Sequence, residues 1–219
     1  VQAFIQYARH FSHPIVQTLQ MMFRVLLNPG EAFYDLKYGG RGQISAALIL
    51  ILLCFAVRVF NIQFMSFQIH RVDPDKVSLL AEIARIFGLW LLFGIANYGV
   101  GAIFEGEAFF KDVLIATAYA TAPYLLFSWP LTLATHVMSR NELGLVDAIN
   151  VAILYWVGML VFIAVRTIHD YTIRKALGTS ALTIFGMAVI IGVLALGYAL
   201  TEQMFSFARE IMVELTIRT

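Results

Sequence analysis

Five long apolar stretches, separated by short charged loops, constrain this chain more than any other feature of its sequence. They cover about residues 44–65, 84–104, 113–138, 145–165 and 181–205. Each has about 20 residues or more, which is enough for a helix to cross the hydrocarbon core of a bilayer. None alternates with a period of two, as a transmembrane β-strand would. The sequence therefore predicts an all-α, polytopic membrane helix bundle with five transmembrane helices.

The composition agrees with a bundle that accounts for almost the whole chain. Of the 219 residues, 60% are hydrophobic and 13% are charged, against about 25% charged in soluble domains. The net charge of +1 gives no reason to expect a nucleic acid partner. The only cysteine, Cys54, lies inside the first apolar stretch, so it says nothing about disulfides.

We expect three segments: a cytoplasmic or interfacial amphipathic segment with a hinge (1–42), the membrane domain (43–205) and an external amphipathic helical tail (206–219). Polar residues at helical spacing share one stripe of the first segment: Gln6, Arg9, His10, His13, Gln17, Gln20 and Arg24. This stripe predicts a helix in the plane of the interface. A helix packed against the spans is the alternative. The glycine-rich hinge would then place Lys37 and Arg41 among the headgroups.

The distribution of basic residues predicts the orientation of the chain. The N-terminal segment and the second and fourth loops hold eight: Arg9, Arg24, Lys37, Arg41, Lys111, Arg166, Arg174 and Lys175. The opposite side holds five: Arg71, Lys76, Arg140, Arg209 and Arg218. The excess places the N-terminus in the cytoplasm and the C-terminus outside.

Arg58 is the charge that lies well inside a span, and it needs a partner there because a centred arginine costs about 2.5–3.5 kcal/mol on insertion scales. Glu82 and Arg85 begin the second span on the same side, so an Arg58–Glu82 pair is expected. With Asn97 these residues form a candidate intramembrane polar site. Arg58 either snorkels to the interface or belongs to a purely structural pair, or it forms one wall of a polar cavity for an ion, lipid headgroup or peptide. Pro123 and Pro130 predict a kink in the third span.

No catalytic template is found in the sequence. HExxH, GxSxG and paired intramembrane aspartates do not occur, so we expect no enzyme, no metal and no cofactor. The fourth span is expected to continue as a helix through Arg166, Asp170 and Arg174, which would share one face, and to end at Gly178. With Arg9, Arg24, Lys37 and Arg41, this ladder is the candidate surface for contact with lipid or a partner.

Several segments, in order, resemble the bacterial branch of the Yip family, which comprises five-span membrane proteins named for interaction with Ypt/Rab GTPases in eukaryotes. They are Asn28-Pro29-Gly30-Glu31-Ala32-Phe33, Ala96-Asn97-Tyr98, the segment 104–112 (FEGEAFFKD), the segment 118–124 (AYATAPY) and His169-Asp170-Tyr171. The resemblance covers about residues 25–218. It implies a cytoplasmic N-terminus, five spans, an external C-terminus and no catalytic residues. It also implies association with ABC transporters, as for bacterial relatives.

The expected function is therefore a non-enzymatic membrane adaptor or accessory subunit in the bacterial inner membrane. Its partners would be the lipid bilayer and other integral membrane proteins, either ABC transporter subunits or a second copy of the chain. The alternative is a small transporter, channel or lipid-handling protein with a polar cavity near Arg58, Glu82 and Asn97.

Overall fold

The computed structural model describes residues 16–40, 42–66 and 77–218, and these ranges are helical with short connections and contain no strand. The helices are α1 (16–27), α2 (Pro29–Tyr38), α3 (Ile44–Phe64), α4 (Leu79–Ile103), α5 (Phe110–Ala120), α6 (Ala122–Ala134), α7 (Leu143–Ile168) and α8 (Ile173–Arg218). The predictions for Arg9 and Arg41 lie outside the described residues.

Within the described ranges, four helices are long and apolar enough to cross a membrane: α3, α4, α7 and the Ile173–Phe207 part of α8. The third apolar stretch instead forms two shorter helices, α5 of 11 residues and α6 of 13, which meet at Thr121. The break lies two residues before Pro123, which has no amide hydrogen to bond the carbonyl of Tyr119 and whose ring clashes with that carbonyl in a continuous helix. The Thr121 hydroxyl donates a hydrogen bond to the carbonyl of Ala118 at 2.7 Å, so one carbonyl beside the break is satisfied.

α5 lies at the centre of the bundle. Its residues 113–120 are buried at every position, and it packs against α2, α3, α4 and α7. A helix that is surrounded in this way needs apolar or small side chains on all faces, and the sequence VLIATAYA meets that need. The two polar side chains within 113–120 are Thr117 and Tyr119. The Thr117 hydroxyl donates to the carbonyl of Val113 at 2.7 Å, and Tyr119 is 2% exposed.

α1 and α2 lie across the end of this core, whereas Gln6, Arg9, His10 and His13 of the expected polar stripe lie outside the described residues. Met22 and Val25 of α1 are buried in the same core cluster as Phe33 of α2. The opposite face of α1 leaves Phe23 and Leu27 exposed. The helix therefore packs against the bundle and also presents an apolar face outward, as an interfacial helix does.

α8 is one unbroken helix of 46 residues, about 69 Å long at 1.5 Å per residue. Its first part packs against α4 and α7. From residue 191 to 207 every position is exposed, so this part of α8 leaves the bundle. The helix continues without a break across residue 205, where the membrane domain was expected to give way to the tail.

The prediction of one helix carrying Arg166, Asp170 and Arg174 is wrong. α7 ends at Ile168, and Asp170 takes a left-handed conformation with a φ of 52°. The amide of Tyr171 donates to the carbonyl of Arg166 at 2.9 Å, which closes a Schellman turn. Gly178, expected to end the helix, lies inside α8. A four-residue charge spacing cannot reveal such a turn, because aspartate is only occasionally found in the left-handed position that glycine usually fills.

Candidate functional site

The structure separates the candidate intramembrane residues into two clusters along α4. Glu82 lies near its start and Asn97 near its end, 15 residues or about 22 Å apart along the axis. Arg58 and Arg85 join Glu82, and these three are called the arginine cluster below. Asn97 joins His169, Tyr171 and Thr183, which are called the His169 cluster.

The arginine cluster links α3 to α4 through one carboxylate. Arg58 Nε lies 3.3 Å from Glu82 Oε2, and Arg85 bonds the same oxygen from the next turn of α4. Glu82 is buried, whereas both arginine side chains are partly exposed. Two guanidinium groups and one carboxylate leave a formal charge of +1. The expected Arg58–Glu82 pair is present, and Arg85 is its third member.

One turn beyond Arg58, Asn61 ties α3 to α6. Its amide nitrogen donates to Ser128 Oγ at 2.6 Å, and its amide oxygen accepts from Thr132 Oγ1 at 2.8 Å. All three side chains are buried. Sequence reasoning did not select Asn61, although an asparagine inside an apolar span is itself a signal of a polar partner on a neighbouring helix.

A cavity of about 800 Å³ lies beside the arginine cluster and is walled by α3, α4, α5, α6 and α7, with one residue of α8. Its lining includes Cys54, Arg58, Arg85, Trp90, Asn150 and Met187. Most other lining side chains are apolar. The cavity reaches Arg58 and Arg85, while Asn97 is not part of its lining. The alternative function placed a polar cavity near Arg58, Glu82 and Asn97, whereas this cavity is mainly apolar and of these three residues only Arg58 lines it.

At the other end of α4, hydrogen bonds connect α4, α8 and the α7–α8 turn through Asn97, which is 1% exposed. Thr183 Oγ1 donates to the carbonyl of Thr179 at 2.8 Å, so it accepts from the amide nitrogen of Asn97 at 3.1 Å. The amide oxygen of Asn97 then faces His169 Nε2 at 3.0 Å. This order requires the neutral His169 tautomer with its proton on Nε2.

Two glycines make room for the His169 ring. A Cβ at Gly101 would lie 2.6 Å from His169 Cε1. A Cβ at Gly106 would lie 2.5 Å from Tyr171 Oη and closer still to His169 Nδ1. The amide of Gly106 donates to the carbonyl of Gly101 at 2.8 Å, with Glu105 between them at a φ of 52°. α4 thus ends in the same type of turn as α7, and the two turns meet around one imidazole.

Two polar atoms of this cluster are buried without a hydrogen-bond partner among the described residues, His169 Nδ1 and Tyr171 Oη. Their rings are stacked, with centroids 5.0 Å apart and planes 10° from parallel. Burial lowers the pKa of His169 to about 4, and the positive charge of Lys37 lowers it further in the same direction. The imidazole is therefore neutral at pH 7, in agreement with the tautomer that Asn97 requires.

Lys37 and Tyr38, at the end of α2, reach the α4–α5 loop. Tyr38 Oη donates to Glu107 Oε2 at 2.8 Å, and Lys37 Nζ lies 3.4 Å from the same oxygen. The Tyr38 bond, followed by the Lys37 bond and charge, lowers the pKa of the Glu107 carboxyl. Lys37, expected among the headgroups, is 8% exposed and paired within the chain.

The remaining candidates for partner or lipid contact differ in what they bind. Arg24 pairs with Asp35, which joins α1 to α2. Arg166, Asp170 and Arg174 are exposed. Across the described ranges, no group of three or more His, Cys, Asp or Glu side chains could hold a metal ion.

The His169 cluster is the part of the site that sequence reasoning missed. Of its members only Asn97 was selected, and it was grouped with Arg58, Glu82 and Arg85. The residues converge from α4, α8 and the α7–α8 turn, and 72 positions separate Asn97 from His169. The available signal was their membership in the segments that carried the family resemblance: 96–98, 104–112 and 169–171.

The comparisons with known proteins agree with that resemblance. The family model described as the Yip1 domain matches residues 23–200, which is most of the chain. Neither a curated protein nor a solved structure gives a significant match. The matched region contains both clusters and all the helices except the start of α1 and the end of α8.

Proposed function

The chain belongs to the Yip1 domain family, and from that membership we propose that this integral membrane protein is a non-enzymatic adaptor in a bacterial inner membrane, where it binds and supports an ABC transporter. Four apolar helices long enough to cross a membrane make the bilayer its solvent. We propose the transporter as partner, the bacterial inner membrane as location and the absence of catalysis.

The proposed topology has five crossings. Together α5, Thr121 and α6 cover 110–134, about 37 Å of helix, which is enough for one interrupted crossing. With the basic excess on the N-terminal side, α1, α2 and the His169 cluster lie at the cytoplasmic face. Alkaline phosphatase is active only outside the cytoplasm, so its fusion after Thr219 should be active. An inactive phosphatase there, with a fluorescent cytoplasmic reporter at the same position, would contradict an external C-terminus. If a reporter placed before α3 also locates the N-terminal side in the cytoplasm, five crossings are excluded.

The observation that carries the adaptor proposal is the part of α8 that leaves the bundle. Residues 191–207 are exposed at every position, and they include Leu196, Leu200 and Phe205. A transmembrane helix gains little from lipid alone, because lipid tails are as apolar as leucine, and it associates through close packing instead. This part of α8 offers its whole circumference for such packing.

The glycines of α8 support this interpretation. Gly186 faces α4, where its Cβ position is 3.7 Å from the Ala96 Cβ. Gly192 and Gly197 lie on the exposed part and have nothing within 4 Å of their Cβ positions. Small residues in membrane helices allow close approach of another helix. The first glycine is used within the chain, and we propose that the other two are used by a partner helix.

Photo-crosslinking tests the proposal directly. A photoreactive amino acid at Leu196 or Leu200 should give an adduct with a transmembrane subunit of an ABC transporter in native membranes. Leu52 of α3, which is similarly exposed, is the control and should give no protein adduct. Adducts with lipid alone at Leu196 and Leu200 would count against the adaptor role, and adducts with a second copy would indicate self-association instead.

Substitution of the glycines separates partner binding from folding. Gly192→Leu and Gly197→Leu should abolish co-purification of the transporter in mild detergent and leave thermal stability unchanged. Gly186→Leu should lower thermal stability, because it faces α4. If Gly192→Leu and Gly197→Leu retain the partner in full, the exposed part of α8 is not the binding surface.

A further inference from the structure

We propose that the cavity beside the arginine cluster binds an amphiphile with an anionic headgroup, whose hydrocarbon chain fills the cavity. This inference goes beyond the adaptor role and does not depend on it. It gives a chemical class to the lipid-handling alternative, which the sequence alone left open.

The size and shape of the cavity fit a chain. Its volume of about 800 Å³ lies within the range of ~300–1,000 Å³ that is usual for small-molecule sites. On α3 its lining runs from Ile51 to Met65, which is about 21 Å along the helix axis. The cavity is therefore elongated along the helices. Most of the lining surface is apolar, which suits a buried hydrocarbon chain.

The cavity opens sideways, between α4 and α7. These two helices are not among the pairs that pack closely, whereas α3 packs against both α4 and α6, and α6 packs against α7. The helix that would close the ring is α8, and Met187 is its only residue in the lining before it leaves the bundle. Leu89 of α4 and Leu154 of α7 line the cavity and are also exposed at its edge. A molecule dissolved in the bilayer can therefore enter without passing through water.

The charges favour an anion. Arg58 and Arg85 both line the cavity and share one carboxylate, that of Glu82, which is not part of the lining. The surface presented to a ligand is thus cationic, and a cationic headgroup would be repelled. In a site of low dielectric, a guanidinium pair with an anionic oxygen is stronger than the same pair in water. Tyr124 and Asn150 add polar side chains to the lining.

Trp90 provides a reporter inside the cavity. It lines the wall five residues along α4 from Arg85, about 7.5 Å along the axis, so it should contact the chain of a ligand whose headgroup lies at the arginines. The other two tryptophans, Trp129 and Trp156, are partly exposed and do not line the cavity. The variant W129F/W156F therefore leaves one tryptophan, at the site itself.

The test is quenching of Trp90 fluorescence by brominated amphiphiles, added to this variant in dodecyl maltoside. The probes are dibromostearate, phosphatidylglycerol with brominated chains and a neutral brominated monoacylglycerol. Saturable quenching by an anionic probe, at least tenfold tighter than by the neutral one, is expected. Tighter binding of dibromostearate would identify a fatty acid as the ligand class, and tighter binding of the brominated phosphatidylglycerol would identify a phospholipid. Equal quenching by all three probes, or quenching that never saturates, would overturn the proposal.

Variants test the headgroup and the chain separately. R58Q and R85Q should each weaken the anionic probe at least tenfold, and E82Q should strengthen it because the arginines lose their counter-charge. V157F should weaken quenching by every probe, because it narrows the cavity without adding a tryptophan while the arginines remain. R166Q, an exposed arginine away from the cavity, is the control and should bind as the parent does. Unchanged affinity in V157F, or weakening by R166Q equal to that by R58Q, would contradict the site; circular dichroism of each variant establishes that it is folded.

Discussion

Gly106→Ala is the most informative perturbation of the His169 cluster. The added methyl would lie 2.5 Å from Tyr171 Oη and closer still to His169 Nδ1, distances that real Cβ atoms essentially never show. The His169 ring cannot turn away, because it is 2% exposed, bonded to Asn97 on one side and stacked on Tyr171 on the other. The backbone of Gly106 is held by its bond to Gly101.

The expected magnitude follows from these two constraints. Overpacking of a tight core costs about 1–3 kcal/mol, and displacement of the imidazole adds the loss of the Asn97 bond, about 1 kcal/mol. Gly106→Ala should therefore lower the free energy of unfolding by about 2–4 kcal/mol. Gly99→Ala is the control, because Gly99 lies on α4 with open space at its Cβ position. It should be neutral or slightly stabilising, since alanine favours helix.

The assay is unfolding in mixed micelles of dodecyl maltoside and dodecyl sulfate, followed by circular dichroism. A double-mutant cycle with His169→Ala isolates the cause, because removal of the ring leaves space for the methyl and for the Tyr171 ring, which is stacked on His169, to move away from it. In the His169→Ala background, Gly106→Ala should cost less than about 1 kcal/mol. Equal losses with and without the imidazole would refute the argument that Gly106 is required by His169.

Three further predictions concern the same end of the bundle. Well above pH 6.5 His169 is neutral in both the folded and the unfolded state. Between pH 6.5 and about 4 only the unfolded chain binds the proton, so the free energy of unfolding should fall by about 1.4 kcal/mol per pH unit as the pH falls and level off below about 4. The His169→Gln variant should lack this pH dependence. Asn97→Leu should lower that free energy by about 2–3 kcal/mol in the same micelles, because His169 Nε2 loses its acceptor, whereas Thr183→Val should cost only about 1. Tyr38→Phe should raise the pKa of the Glu107 carboxyl towards its ordinary value in an NMR titration, and an unchanged pKa would show that Lys37 alone holds it low.

The long apolar helices could be predicted because a helix needs about 20 consecutive apolar residues to cross a bilayer. α3, α4 and α7 each coincide with one apolar stretch, to within a few residues at either end. The kink of the third stretch followed from Pro123, which constrains the backbone locally. These features depend on composition and on neighbours in sequence, so they can be predicted from the sequence alone.

The C-terminal ends of α4 and α7 could not be predicted, because they depend on contacts between residues that are distant in the sequence. Glu105 and Asp170 occupy left-handed positions that glycine usually takes, and what holds them there is the packing of His169 between two distant segments. Arg166, Asp170 and Arg174 kept the spacing of a helix face although the helix ends among them. The arginine cluster was within reach because a buried charge demands a partner, and Glu82 was among the few carboxylates near the same end.

The two clusters also explain why a cavity exists. α4 is fixed by polar contacts at both ends, by Glu82 to α3 and by Asn97 to the α7–α8 turn and α8. α8 is joined to α4 at the second of these, where Thr183 bonds Asn97, and its residues 191–207 are exposed at every position. Between apolar helices in lipid there is no hydrophobic force to hold that part of α8 against α4. The helix therefore departs beyond this polar anchor, and the same departure leaves both an open side in the bundle and a free helix for a partner.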